Sequence, residues 1–265
     1  MQLTEEEMQA IDKQCISLDF VEDLHGRPDV HRNLDLAEAT SDFAGFYKTN
    51  FTFVQAANSA LPLTARLYEI KPKEDGCVFL DLKLYDSPPT VYRYAKIISS
   101  MIGISMFTVH IDGGEAMCRE AIRGAEEATK ALRRVGKNDF YNQPRPRVIG
   151  VTELTTSNFP GYNNSVMRKA ELARKWGLDG VTAPGTLVEK LVKGFGADWF
   201  YIFPGMKFRG VGGEKQMHTY SPEEIARVCT NYLLISGSAV SRSPNPGETA
   251  YGILKVIAAN SKSTL

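Results

Sequence analysis

Eight short apolar runs alternate with helix-like stretches along the chain, which predicts an α/β protein folded as one closed (β/α)8 barrel of the TIM type spanning residues 1–265. Three observations carry this expectation. A length of 265 residues suits one large barrel domain. The apolar runs are short and do not alternate strictly, as strands behave when a parallel sheet is covered on both faces. Polar and charged residues recur at the C-terminal ends of those runs, the face where such barrels carry their chemistry. The rival architecture is an open doubly wound sheet, but no G-x-G-x-x-G follows the first run, so dinucleotide binding lacks its usual fingerprint.

The elements follow in order. Residues 4–13 read as a short acidic helix laid before the first strand, and residues 15–20 as that strand, ending in Asp19. A helix over 33–44 precedes a strand over 45–51 that carries Lys48; a helix over 58–71 precedes a strand over 77–83. Pro88-Pro89 reads as a stop, with a helix from about 91 to 103 and a strand over 105–110 after it. Residues 114–135 form the longest helix by apolar spacing, and the polar, proline-broken stretch 138–147 forms a surface loop. The remaining strands fall at 148–152, 180–183, 199–205 and 232–237, with helices at 163–176, 185–194 and 246–261. A further helix opens at Ser221, a candidate N-cap, with Pro222 in its first turn.

Composition narrows the function classes. The 31 basic residues balance 31 acidic ones, so nothing points to nucleic acid or to an anionic membrane. No apolar run approaches a membrane span, and the acidic N-terminus is unlike a signal peptide, so a cytoplasmic protein is expected. Cys15, Cys77, Cys118 and Cys229 lack any C-x-x-C pair and read as reduced core thiols, with no disulfide framework and no zinc site.

The densest chemistry lies in FLDLKLYDSPPTV, which starts at Phe79. Alternation along a strand sends Asp81 and Lys83 to the same face, with Asp86 just beyond. Carboxylates and an ammonium held so close perturb one another's ionisation, as catalytic groups do, although an isolated set of this kind serves equally well as a solvated, ion-paired strand end. Asp19, Lys48 and His110 end neighbouring strands at the same mouth, and that convergence favours a site. His110 reads as a wall residue rather than a base.

These motifs resemble the orotidine 5'-phosphate decarboxylase family. FLDLKLYDSPPTV is similar to its D-x-K-x-x-D-x-x-x-T signature, FTVHIDGG to its fourth strand, VIGVTELTTSNFPG to its fifth strand and following loop, and FYIFPGMKF with GEKQMHTYSPEEI to its phosphate loop and D-Q-x-R-x-x-T-P segment. GFYKTNFTF resembles the second-strand lysine segment, so the likeness spans nearly the whole chain.

The resemblance implies a carboxy-lyase that needs neither cofactor nor metal and acts on a pyrimidine nucleotide. It implies a tetrad of Lys48, Asp81, Lys83 and Asp86, with Asp86 and Thr90 completing the site of a partner in a homodimer. Asp19, Asn50 and Thr90 would hold ribose hydroxyls, Ser157 would contact the pyrimidine, and Gln216 with backbone N–H groups of the Gly205 and Gly237 loops would hold the phosphate, with Asn158, Ser238 and Arg242 as further substrate-binding candidates. The chain departs from the family at three places: Ser238 stands where the family's phosphate-gripping arginine is expected, His218 stands for the arginine of D-Q-x-R, and Ser87 for an isoleucine. Arg242 or Arg209 would compensate, or the substrate lacks the usual 5'-phosphate. Two competing functions are a magnesium-dependent sugar-phosphate decarboxylase or aldolase of the same superfamily, which EDTA would inhibit, and a non-catalytic nucleotide-binding paralogue, which would bind a nucleotide without releasing carbon dioxide.

Overall fold

Eight parallel strands pair in sequence order and close on themselves in the computed structural model, which describes residues 2–20, 29–50, 60–135, 143–212 and 217–261. The strands are β1 (Gln14–Ser17), β2 (Phe46–Thr49), β3 (Val78–Leu84), β4 (Ile104–His110), β5 (Arg147–Val151), β6 (Gly180–Thr182), β7 (Phe200–Phe203) and β8 (Tyr232–Ser236). The barrel expected from the alternation of elements is therefore the one formed, and β1 pairs with both β2 and β8 to close it.

The helices are α1 (Glu5–Ala10), α2 (Val30–Thr40), α3 (Ala60–Ile70), α4 (Pro88–Ile98), α5 (Gly114–Val135), α6 (Tyr162–Trp176), α7 (Val188–Phe195), α8 (Pro222–Ala226), α9 (Ser238–Ser241) and α10 (Pro246–Asn260). Local chemistry sets their starts. Thr4 and Glu7 form a reciprocal capping box on α1, and the Asp29 side chain accepts from Arg32 N to cap α2. A 3-10 turn (Ile11–Lys13) continues α1 into β1, so the helix expected over 4–13 is shorter.

The larger correction concerns Pro88-Pro89. β3 already ends at Leu84, before the pair is reached, and the pair forms the first turn of α4, three residues earlier than expected. A proline at the first helical position loses an N–H that would have no intrahelical partner, and its fixed φ already suits the helix. β1 is also shorter than the apolar run suggests and ends at Ser17, leaving Asp19 beyond the sheet. The short α9 directly after β8 has no counterpart in the expected element order. Positions 51, 58, 59 and 138–142 of the expected strand, helix and loop lie outside the described residues.

Two apolar layers result. One lies between strands and helices and includes Tyr47, Leu80, Phe107 and Phe203. The other fills the barrel, where Cys15, Phe46, Phe79, Met106, Ile149 and Ile235 pack together. This inner layer plugs the barrel, so polar residues further along the same strands gather above it. All four cysteines are buried free thiols. Among the described residues no helix is long and apolar enough to cross a membrane.

Candidate active site

A cavity of about 530 Å³ opens at the C-terminal ends of the strands, floored by Phe79, Ile202 and Ile235. Its charged wall is a chain of alternating signs. Asp19 Oδ1 lies 3.6 Å from Lys48 Nζ, which lies 3.9 Å from Asp81 Oδ2, and Lys83 Nζ approaches that same Asp81 oxygen to 2.6 Å. The Ser17 hydroxyl donates to the other Asp19 oxygen. Lys48 and Asp81 side chains are only 14% and 15% exposed, against 37% for Lys83, so the inner pair is desolvated while the outer lysine faces the opening.

Burial and charge oppose each other in the inner pair. Desolvation pulls the Lys48 ammonium toward the neutral form, yet the Asp19 and Asp81 carboxylates outweigh it and hold its pKa above the ordinary lysine value. Desolvation likewise pushes Asp81 up, but Lys48, Lys83 and the hydrogen bonds from Lys83 and Thr108 leave it below the ordinary carboxylate value. Both groups are thus charged near neutrality. A negative group brought next to Asp81 meets a fixed carboxylate, while negative charge developing near Lys83 meets an ammonium in a partly water-excluded site.

The geometry of β3 differs from the regular alternation expected. Between the pairs Leu80–Phe107 and Leu84–Val109, residues 81–83 face Thr108 alone, and Lys83 sits in the left-handed region at φ 50°. For a non-glycine residue that conformation costs about 1–3 kcal/mol, which the surroundings must offset. The Lys83 N–H donates to Thr108 Oγ1 at 2.8 Å, and that hydroxyl donates to Asp81 Oδ1 at 3.0 Å. Asp81 and Lys83 are therefore brought together by a bulge, not by strand pleating.

The other expected site residues divide into three groups. Gly205, Gly237, Ser238 and Arg242 line the cavity at its β7–β8 side, with Gly205 at φ 89°, a conformation suited to glycine. Arg209 lies elsewhere: its guanidinium stacks 4.9 Å from the Phe208 ring and approaches Gly252 of α10. Asn50, half-buried just past β2, Asp86 and Thr90 are not among the residues that line this cavity. Asp86 is exposed and accepts from Ser87 N at 2.6 Å, and the Thr90 and Ser87 hydroxyls are 2.9 Å apart.

In the loop after β5, Thr155 and Thr156 face the cavity, whereas Ser157 offers its carbonyl to His218 Nε2 at 3.2 Å. Asn158 lines a separate outer pocket of about 400 Å³ with Tyr162, Lys190 and His218, whose ring stacks on Tyr162. Gln216 lies outside the described residues. His110 ends β4 with its ring edge-on to Tyr85, and burial lowers its pKa despite nearby Asp112, which fits a neutral wall residue.

Sequence reading missed Thr108, a buried hydroxyl on β4, and Glu153, which lines the cavity while accepting from Lys169 and Ser165. A polar residue at an inward strand position was the available signal for Thr108. No three His, Cys, Asp or Glu side chains among the described residues come together as a metal ion would require.

The family model described as "Orotidine 5'-phosphate decarboxylase / HUMPS family" matches residues 12–253. The chain belongs to this family. It is 30% identical over 256 residues to the orotidine 5'-phosphate decarboxylase of Moorella thermoacetica, covering 93% of this chain and 92% of that one. The Geotalea daltonii enzyme of the same name is 29% identical, with 91% and 95% covered.

Solved structures agree on the fold. The orotidine 5'-phosphate decarboxylase of Lactobacillus acidophilus superposes with a TM-score of 0.70 at 22% identity, covering 93% of this chain and 99% of that one. The Methanocaldococcus jannaschii decarboxylase, solved with the inhibitor BMP, gives 0.67 at 23% identity, with 93% and 99% covered. As a member of the orotidine 5'-phosphate decarboxylase family the protein is a carboxy-lyase. The relatives' names give no support to the sugar-phosphate or non-catalytic alternatives.

Proposed function

We propose that this family member decarboxylates orotidine 5'-phosphate to uridine 5'-phosphate, in pyrimidine biosynthesis, as a cytoplasmic homodimer without metal or cofactor. The observation that carries the reading is Lys83 Nζ held 2.6 Å from Asp81 above an apolar floor. The relatives' names and the nucleotide-like inhibitor of the Methanocaldococcus jannaschii enzyme support the substrate class.

In this reading the substrate carboxylate lies beside Asp81, whose charge disfavours the bound ground state. The bond from C6 to the carboxyl carbon breaks, carbon dioxide leaves, and the electron pair stays on C6. Lys83 stabilises that charge and then gives C6 a proton, becoming a neutral amine that is reprotonated from solvent. Lys48 keeps Asp81 ionised and in place. The phosphate lies at Gly205, Gly237, Ser238 and Arg242, and Asp86 and Thr90 serve the partner's site.

Carbon dioxide release from orotidine 5'-phosphate tests this. Turnover should be insensitive to EDTA and should fall at least about 10²–10⁴-fold in Lys83→Met, the range for losing a positioned proton donor. Nucleotide binding with no carbon dioxide release, or loss of turnover in EDTA, would count against it.

A further inference from the structure

We propose that Thr108 is a positioning residue for the reaction centre, one buried hydroxyl that locks the Asp81 carboxylate and the Lys83 backbone into a single arrangement. The proposal starts from the ladder between β3 and β4. Between the pairs Leu80–Phe107 and Leu84–Val109, Asp81, Leu82 and Lys83 stand against Thr108 alone. A bulge of this kind takes backbone groups out of the sheet's regular pairing. The Lys83 N–H is directed instead to Thr108 Oγ1, at 2.8 Å.

The same hydroxyl faces the other way with its proton, donating to Asp81 Oδ1 at 3.0 Å. A hydroxyl has one proton and two lone pairs, so the two bonds are compatible in only one sense: acceptor from Lys83, donor to Asp81. Thr108 is fully buried, so solvent does not readily replace either bond. Asp81 is then gripped on both oxygens, Oδ1 by Thr108 and Oδ2 by Lys83, with Lys48 beyond.

Two costly features depend on this one side chain. Lys83 keeps a left-handed backbone at φ 50° that its side chain disfavours, and Asp81 keeps an orientation that does not collapse wholly onto the lysines. Valine preserves the shape of threonine and abolishes both bonds; serine preserves both bonds and loses a methyl group. Without the hydroxyl, the Lys83 N–H is unsatisfied and the ammonium is displaced from the position in which it meets the reacting carbon. In the proposed reading none of the ribose and phosphate contacts is bonded to Thr108, so the loss falls on the chemical step.

The kinetic readout rests on the decarboxylase reading above; the spectroscopic one does not. Thr108→Val, Thr108→Ala and Thr108→Ser are compared in the full chain by steady-state carbon dioxide release, with thermal melting to verify folding. The expected result is kcat lower by about 10- to 100-fold in Thr108→Val and Thr108→Ala, KM within about threefold, and Thr108→Ser within about fivefold of wild type. In parallel, the Asp81 carboxyl carbon is titrated by NMR against the Lys48 and Lys83 charges that face it, and its midpoint should rise when the hydroxyl is removed, since a hydrogen bond to the ionised form is lost.

A valine or alanine variant that folds and keeps kcat within about twofold overturns the proposal, as does a serine variant that loses as much as valine. A loss confined to KM also overturns it. If wild-type protein releases no carbon dioxide, the functional reading fails by itself, and the titration decides the positioning role: an unchanged Asp81 midpoint without the hydroxyl overturns it.

Discussion

Arg242→Ala is the sharpest test of how this chain manages without an arginine at position 238. Ser238 contributes no charge there, and of the two candidate replacements, Arg242 and Arg209, only Arg242 borders the cavity, beside Gly205, Gly237 and Ser238. Arg209 is committed to the Phe208 ring and to α10. A charge-assisted hydrogen bond to phosphate contributes about 1.5–3 kcal/mol, and each 1.4 kcal/mol is a factor of ten, so removal should lower kcat/KM about 10- to 150-fold. Arg242 is exposed, so salt screening places the expected loss toward the lower end of that range. The assay measures kcat/KM for orotidine 5'-phosphate and for unphosphorylated orotidine with wild type, Arg242→Ala and Arg209→Ala. The arginine reading requires a loss in Arg242→Ala on the phosphorylated substrate only, with Arg209→Ala within about twofold of wild type. An equal loss on both substrates, or a larger loss in Arg209→Ala, would refute it, and a wild type that prefers orotidine would show that the substrate carries no phosphate.

Three other outcomes are expected. Stability should hold a plateau around neutral pH: Asp81, depressed in the folded state, contributes above the ordinary carboxylate value and loses that contribution as pH falls through its folded value, whereas Lys48, raised in the folded state, contributes below the ordinary lysine value and loses it as pH rises through its folded value. Melting temperatures across pH check this, and Asp81→Asn should flatten the acid limb. Gly124→Ala, normally worth about 1 kcal/mol of helix stability, should instead destabilise by about 1–3 kcal/mol because the new Cβ would meet Tyr92 O at 2.5 Å where α5 crosses α4; urea denaturation measures it. Mixing inactive Lys83→Ala and Asp86→Ala chains should restore about a quarter of wild-type activity if Asp86 serves the partner's site, because each hybrid dimer then keeps one intact site; no recovery on subunit exchange would place Asp86 in its own chain's site.

How far the site could be read from sequence follows from which physics is local. Charges at strand ends are legible because apolar runs define the strands, and a parallel barrel places all their C-terminal ends at one mouth; Asp19, Lys48, Asp81 and Lys83 follow from that rule and meet within ion-pair distance. Pro88-Pro89 was legible only in part, since a proline pair that reads as a stop can equally open a helix. That Arg242 and not Arg209 borders the cavity was illegible, because it depends on the left-handed turn at Arg209 and on what α10 offers its side chain. The bulge in β3 is the most instructive case. Period-two alternation predicts Asp81 and Lys83 on one face, and they do meet, but through a left-handed lysine that no glycine or proline announces. What sequence did contain was Thr108, a hydroxyl set at an inward position between Met106 and His110. A hydroxyl buried at such a position must find partners, and here they are a backbone N–H that the sheet leaves unpaired and the carboxylate next to it. A buried hydroxyl opposite a charged strand end is therefore a sequence-level sign that the facing strand does not run regularly.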